Sequence, residues 1–162
     1  MAYSRSNGRI WIWLSITVAL ILQAAPWPGE LDPFRPSLVL LVTFYWVLAL
    51  PHRVNVGSAL FIGLLWDLML GSTLGVRGLM MAIVCYLVAL NFQVLRNLSL
   101  LQQALLIAML TLLGKLIEFW AEYLVSEVTF EPQRTWAILL NFILWPWVFL
   151  LLRRMRRKFS IR

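Results

Sequence analysis

Cysteine and histidine are almost missing from this chain: Cys85 and His52 are their single representatives among 162 residues. One cysteine excludes an intrachain disulfide and any cysteine-built metal centre, and Cys85, set inside a hydrophobic run, reads as a small buried apolar residue. One histidine, in the turn Pro51-His52-Arg53-Val54-Asn55-Val56-Gly57, excludes a paired-histidine site and reads as a solvated loop side chain. Charge is scarce as well. Only 13% of residues are charged, against about a quarter in soluble domains. The longest polar stretch is about ten residues, so no soluble domain is left over. There is no glycine-rich phosphate loop and no grouping of nucleophile and base, so the sequence points to no enzyme and to no cofactor or metal.

Hydrocarbon takes the place of what is missing. Apolar residues make up 62% of the chain and the mean hydropathy is +0.83. They come in runs close to the roughly 20 residues that cross a hydrocarbon core about 30 Å thick. The pattern predicts a single all-α polytopic membrane domain with about six transmembrane helices, near 10–23, 37–50, 54–70, 78–92, 100–119 and 135–152, followed by a basic tail over 153–162. Outer-membrane strands would alternate in polarity, whereas Ala104–Leu110 and Ile143–Leu152 are apolar on every side. The second and third runs are short, which leaves open a broken hairpin dipping into the membrane.

Basic residues orient the chain. With six spans, ten of the 14 basic side chains, including Arg5, Arg9, Arg53, Arg96 and the run Arg153-Arg154-Met155-Arg156-Arg157-Lys158, fall on one side, and Arg35, Arg77 and Arg134 on the other. The positive-inside rule puts both termini in the cytoplasm. The loop acids Glu30, Asp32, Glu127 and Glu131 all fall opposite. Arg5 and Arg9 ahead of an apolar run also suggest a signal peptide. Gln23 or Leu22 three residues before a cut near Ala24-Ala25, with Pro26 next, argues instead for an uncleaved anchor. The terminal basic run reads as a stop-transfer signal that holds anionic lipid, with docking to an acidic cytoplasmic partner as the alternative, and not as a nucleic-acid site. Trp11, Trp13, Trp27 and Trp136, with Tyr45 and Trp46 near the next inner turn, sit where interfacial anchors belong, and Pro146 in Trp145-Pro146-Trp147 predicts a kink in the sixth span.

Charges inside the spans need a separate explanation, because a lipid-facing carboxylate costs a few kcal/mol and by default faces other helices or a polar cavity. Asp67 lies between Gly63 and Gly71, with Gly75 beyond. Gly63 reads as a close-packing site. Gly71 and Gly75 read as the turn that ends the third helix. Lys115, Glu118 and Glu122 share one stripe of the fifth helix, within reach of a Lys115–Glu118 pair. At about 1.5 Å per residue, Asp67 and Lys115 lie at similar depth, so Asp67 has two candidate partners, Lys115 and Arg77.

Arg35-Pro36 opening the second span, Gly63 with Asp67, Gly71 and Leu74-Gly75, in a small multi-span protein with a basic C-terminus, resemble the MreD family of rod-shape-determining proteins. Trp27-Pro28, the turn from Pro51 to Gly57, Gly71 to Arg77, Trp120-Ala121-Glu122 and Trp145-Pro146-Trp147 resemble its enterobacterial-type branch. The resemblance implies a fold similar to the substrate-binding membrane subunits of energy-coupling-factor transporters, in a protein of the bacterial inner membrane without enzymatic activity. It implies a scaffold that binds the single-span protein MreC and so links MreB filaments to RodA and its class B penicillin-binding partner. A homodimer stays open. So does a second reading, a small-molecule binding or transport subunit with Asp67, Lys115 and Glu118 lining its cavity.

Overall fold

The computed structural model describes residues 7–127, 129, 131–159 and 161; Arg5 and Arg162, counted above among the basic residues, lie outside them. Among the described residues there are seven α-helices and no strand. They are α1 (Asn7–Ala24), α2 (Leu38–Ala49), α3 (Val56–Leu70), α4 (Val76–Leu90), the short α5 (Phe92–Arg96), α6 (Leu100–Val125) and α7 (Trp136–Lys158), with 3-10 turns at Asp32–Phe34 and Pro132–Thr135. Two helical stretches, Leu100–Val125 and Pro132–Lys158, are long and apolar enough to cross a membrane by themselves. The basic run Arg153–Lys158 forms the last turns of α7, and the helix continues without interruption through Pro146.

Local chemistry sets several boundaries. Asn55 opens α3 by accepting the Ser58 N–H at 3.1 Å, and Ser99 with Gln102 forms a reciprocal capping box at the start of α6. Gly71 ends α3 in the left-handed region at φ +62°, where a side chain would be strained.

The bundle is organised around its shortest long helix. Every residue of α2 from Val39 to Ala49 is buried, and α1, α4 and α7 pack around it. Tyr45 and Trp46, expected as interfacial anchors, belong to the core instead because α2 is enclosed on all sides: Trp46 donates from Nε1 to Ser15 Oγ at 2.8 Å, and Phe44 meets Trp145 edge-on at 4.9 Å. Outside, the helices show Phe61, Leu68, Met109, Leu116 and Leu151. A chain apolar on its outer face as well as its inner one suits lipid as its solvent.

The connections sort to two ends. At one, Trp11 stacks on Phe159 at 3.7 Å, Gly8 lies beside Arg53 and Ile161, and Arg96 donates from Nη2 to the Ala49 carbonyl at 2.7 Å. The start of α1, the end of α7, the α2–α3 turn and α5 therefore gather together. At the other end lie the α3–α4 turn and the two 3-10 turns, with Phe34 against Trp136 at 5.8 Å.

Candidate functional site

Asp67 sits three residues before the end of α3 with no solvent exposure. The α3–α4 turn doubles back over it. Gly75, at φ +98°, starts α4 but has no side chain with which to cap it. Asp67 fills that role from the preceding helix: Oδ2 accepts the backbone N–H groups of Gly75 at 3.0 Å, Arg77 at 3.1 Å and Gly78 at 3.4 Å. A carboxylate at a helix N-terminus satisfies otherwise orphaned donors and faces the positive end of the helix dipole. Its other oxygen accepts from Ser72 Oγ at 3.1 Å and from Arg77 Nη1 at 3.2 Å. The buried charge is thus paired and hydrogen-bonded on both oxygens, as it must be to persist away from water.

Arg77 carries the cluster onward. Its Nη1 also donates to Ser72 Oγ at 2.6 Å, its guanidinium lies 5.3 Å from the Trp66 ring centroid, and its Nε stands 3.9 Å from Glu118 Oε1 on α6. Lys115 closes the chain on the Glu118 Oε2 at 3.4 Å. The order is Asp67, Arg77, Glu118, Lys115, which ties α3 to α4 and α4 to α6. Of the two partners considered for Asp67, the structure selects Arg77. Equal depth placed Lys115 near Asp67, but Arg77 enters from the turn and occupies the space between them.

The glycines explain how α3 and α4 come so close. A Cβ on Gly63 would fall 2.5 Å from Gly78 Cα and 2.6 Å from the Arg77 carbonyl oxygen. Only a bare backbone fits where the two helices touch. Gly71 and Gly75 serve the turn and not a packing face, since the helix ends at Leu70. Arg35 lies apart from this cluster: it donates to the Ala25 carbonyl at 2.6 Å and pairs with Asp32 at 3.4 Å, while Pro36 is buried beside the start of α2. Pro146 is remote from both, in the middle of α7.

A second polar assembly escaped the sequence reading. Ser37 makes no side-chain cap for α2. Instead the Ser37 N–H donates to Asn141 Oδ1 of α7 at 3.0 Å and the Leu38 N–H to Gln23 Oε1 of α1 at 2.9 Å. Asn141 Nδ2 in turn donates to Thr111 Oγ1 of α6 at 3.0 Å. One buried helix start thus joins α1, α2, α6 and α7. The available signal was a single amide inside each of two apolar runs, the neutral counterpart of the argument applied to Asp67.

Between the two assemblies opens a cleft of about 230 Å³, lined by Arg35, Trp66, Arg77, Lys115, Glu118 and Arg134 among others. Its charges are already matched in the ion pairs Arg35–Asp32, Arg77–Glu118, Lys115–Glu118 and Arg134–Glu131. What the arrangement does chemically is hold helices together.

A family model described as rod shape-determining protein MreD matches residues 4–155. The chain is also similar to the rod shape-determining protein MreD of Haemophilus influenzae, with 40% identity over 153 residues, covering 92% of this chain and 94% of that protein. No solved structure matches it.

Proposed function

The chain belongs to the MreD family, and from that premise we propose that it is an inner-membrane scaffold of the cell-elongation complex. It is a rod shape-determining protein, of a family that is structural and not enzymatic. In this reading α1, α2, α3, α4, α6 and α7 are six crossings of a single domain, with a fold similar to the membrane subunits of energy-coupling-factor transporters. Both termini lie in the cytoplasm. Supporting this are the shared end that gathers the start of α1 and the end of α7 with the α2–α3 turn and α5, and the collection of basic residues there.

The observation that carries the scaffold reading is the filled interior. With α2 buried from Val39 to Ala49, the middle of the bundle is occupied by the protein's own side chains. A wide apolar groove opens laterally instead, about 490 Å³ in volume and walled by Leu14, Val18 and Leu22 of α1, Val42 of α2, and Val148 and Leu151 of α7. Such a groove takes an apolar helix side-on, because association within lipid depends on close packing. We assign it to the single span of MreC. Through MreC the scaffold connects MreB filaments with RodA and the class B penicillin-binding transpeptidase, while the basic end contacts anionic lipid. A second copy of the chain is the competing occupant.

Photo-crosslinkers placed at Val18 and Leu151 in the groove, and at Met109 and Leu112 on the exposed face of α6, test this assignment. The expected result is an MreC adduct from the groove positions alone. Adducts to a second copy of the chain, or to MreC from α6 only, contradict it.

One observation favours the other reading, a small-molecule binding subunit: Trp66 is buried, lines the 230 Å³ cleft, and has an Nε1 donor without a partner. A small molecule that co-purifies with the wild-type chain and is lost in Trp66→Phe would support that reading over the scaffold.

A further inference from the structure

Where α2 ends and α6 begins, the basic end of the bundle holds a pocket of about 320 Å³ that the scaffold role does not use. Arg96, Arg153 and Arg156 line it from α5 and α7, over an apolar floor that includes Leu48, Leu98 and Phe149. Its charge is uncompensated. None of these three arginines belongs to an ion pair among the described residues, and no acidic side chain lines the pocket. Among the described residues the Arg96 guanidinium bonds to the Ala49 carbonyl through Nη2, which leaves further donors for a ligand.

A second, independent feature faces the same space. Gln103 is only 2% exposed and lines the pocket, and its Oε1 is buried without a partner. Its Nε2 donates to the Leu95 carbonyl at 3.1 Å, which fixes the amide so that the oxygen is the free end. A buried acceptor without a donor is costly. The pocket therefore combines strong donors for an anion with one acceptor that needs an O–H or N–H, above a hydrocarbon floor.

We propose that this pocket binds the phosphodiester of one anionic glycerophospholipid. The phosphate sits among Arg96, Arg153 and Arg156, and a headgroup hydroxyl donates to Gln103 Oε1. Guanidinium groups suit phosphate oxygens through paired N–H donors. The apolar floor favours a lipid over a free phosphate ion. This sharpens the general contact of the basic end with anionic lipid into a single site, and it does not depend on MreC.

Native mass spectrometry of the full-length chain released from detergent, with phosphatidylglycerol, phosphatidic acid or phosphatidylethanolamine added, tests the site. The wild type is expected to retain one phosphatidylglycerol at least tenfold better than phosphatidylethanolamine. Arg96→Gln with Arg156→Gln should abolish that preference. Arg9→Gln with Arg157→Gln, which removes the same charge outside the pocket, should keep it. Equal loss in both doubles means diffuse attraction to a basic surface and overturns the site while leaving the general lipid contact standing. Gln103→Leu, which keeps every arginine, should retain phosphatidic acid but lose the preference for phosphatidylglycerol over it; an unchanged ratio overturns the headgroup assignment. Displacement of the lipid by millimolar inorganic phosphate would identify a free-anion site, and displacement by a glutamate-rich peptide a protein-docking site. Either result overturns the proposal.

Discussion

Asp67 holds Arg77 twice, accepting its backbone N–H on Oδ2 at 3.1 Å and its guanidinium on Oδ1 at 3.2 Å. The first contact starts α4 and the second ties the carboxylate to the chain that reaches Glu118 on α6. One side chain therefore fixes both where a helix begins and which helix it leans on.

Replacing Asp67 by leucine should leave the Arg77 guanidinium and three amides without their acceptor, a loss of about 3 kcal/mol or more for a broken buried pair. Asp67→Asn keeps one acceptor oxygen and should cost less. Thermal unfolding in detergent reads both. The Asp67→Asn and Arg77→Gln losses should be far from additive, whereas Asp67→Asn and Lys115→Leu, which share no direct contact, should come closer to additivity.

Gly63 and Gly78 face each other, yet their tolerance should differ. A methyl on Gly63 meets backbone at 2.5 Å, and Gly63→Ala should push α3 from α4 at a cost of about 2 kcal/mol. A methyl on Gly78 meets side chains first, Leu64 Cγ and Cδ2 at 3.2 Å and Leu60 Cδ1 at 3.3 Å, which need shift by only a few tenths of an ångström. Gly78→Ala should melt within a few degrees of the wild type while Gly63→Ala should not accumulate normally in the membrane. Steady-state levels and melting of the two variants check the contrast.

Asn141→Leu strips the Ser37 N–H of its acceptor and Thr111 of its donor at buried positions, for an expected loss of about 2 kcal/mol. Thr111→Val removes one bond and leaves the Asn141 cap in place, so it should cost about half as much. The two melting curves, compared in one detergent, test whether the α2 cap outweighs the α6 bond.

The helical character of the chain and its charged cluster were legible in the sequence for a plain reason: hydrocarbon runs and misplaced charges are composition-level signals. Asp67 could be marked as needing a partner from its cost alone. Which partner it takes could not, because Lys115 shares the depth of Asp67 while Arg77 reaches it only through the way Gly71 and Gly75 turn the chain, a matter of two left-handed residues. The central place of α2 was equally hidden. A helix apolar all round reads the same against lipid as against protein, and nothing in Leu38–Ala49 says which surrounds it. Gln23 and Asn141 escaped because neutral amides raise no alarm on hydropathy, although each accepts a backbone N–H at the buried start of α2.

The central claim, a scaffold that holds MreC, is tested most directly by gentle purification of this chain from its own membranes, followed by identification of the polypeptides that stay with it. The account predicts MreC at close to equal stoichiometry, lost when Val18→Trp and Leu151→Trp fill the groove. Recovery of the unaltered chain free of MreC, or retention of MreC by the groove-filled variant, would contradict it.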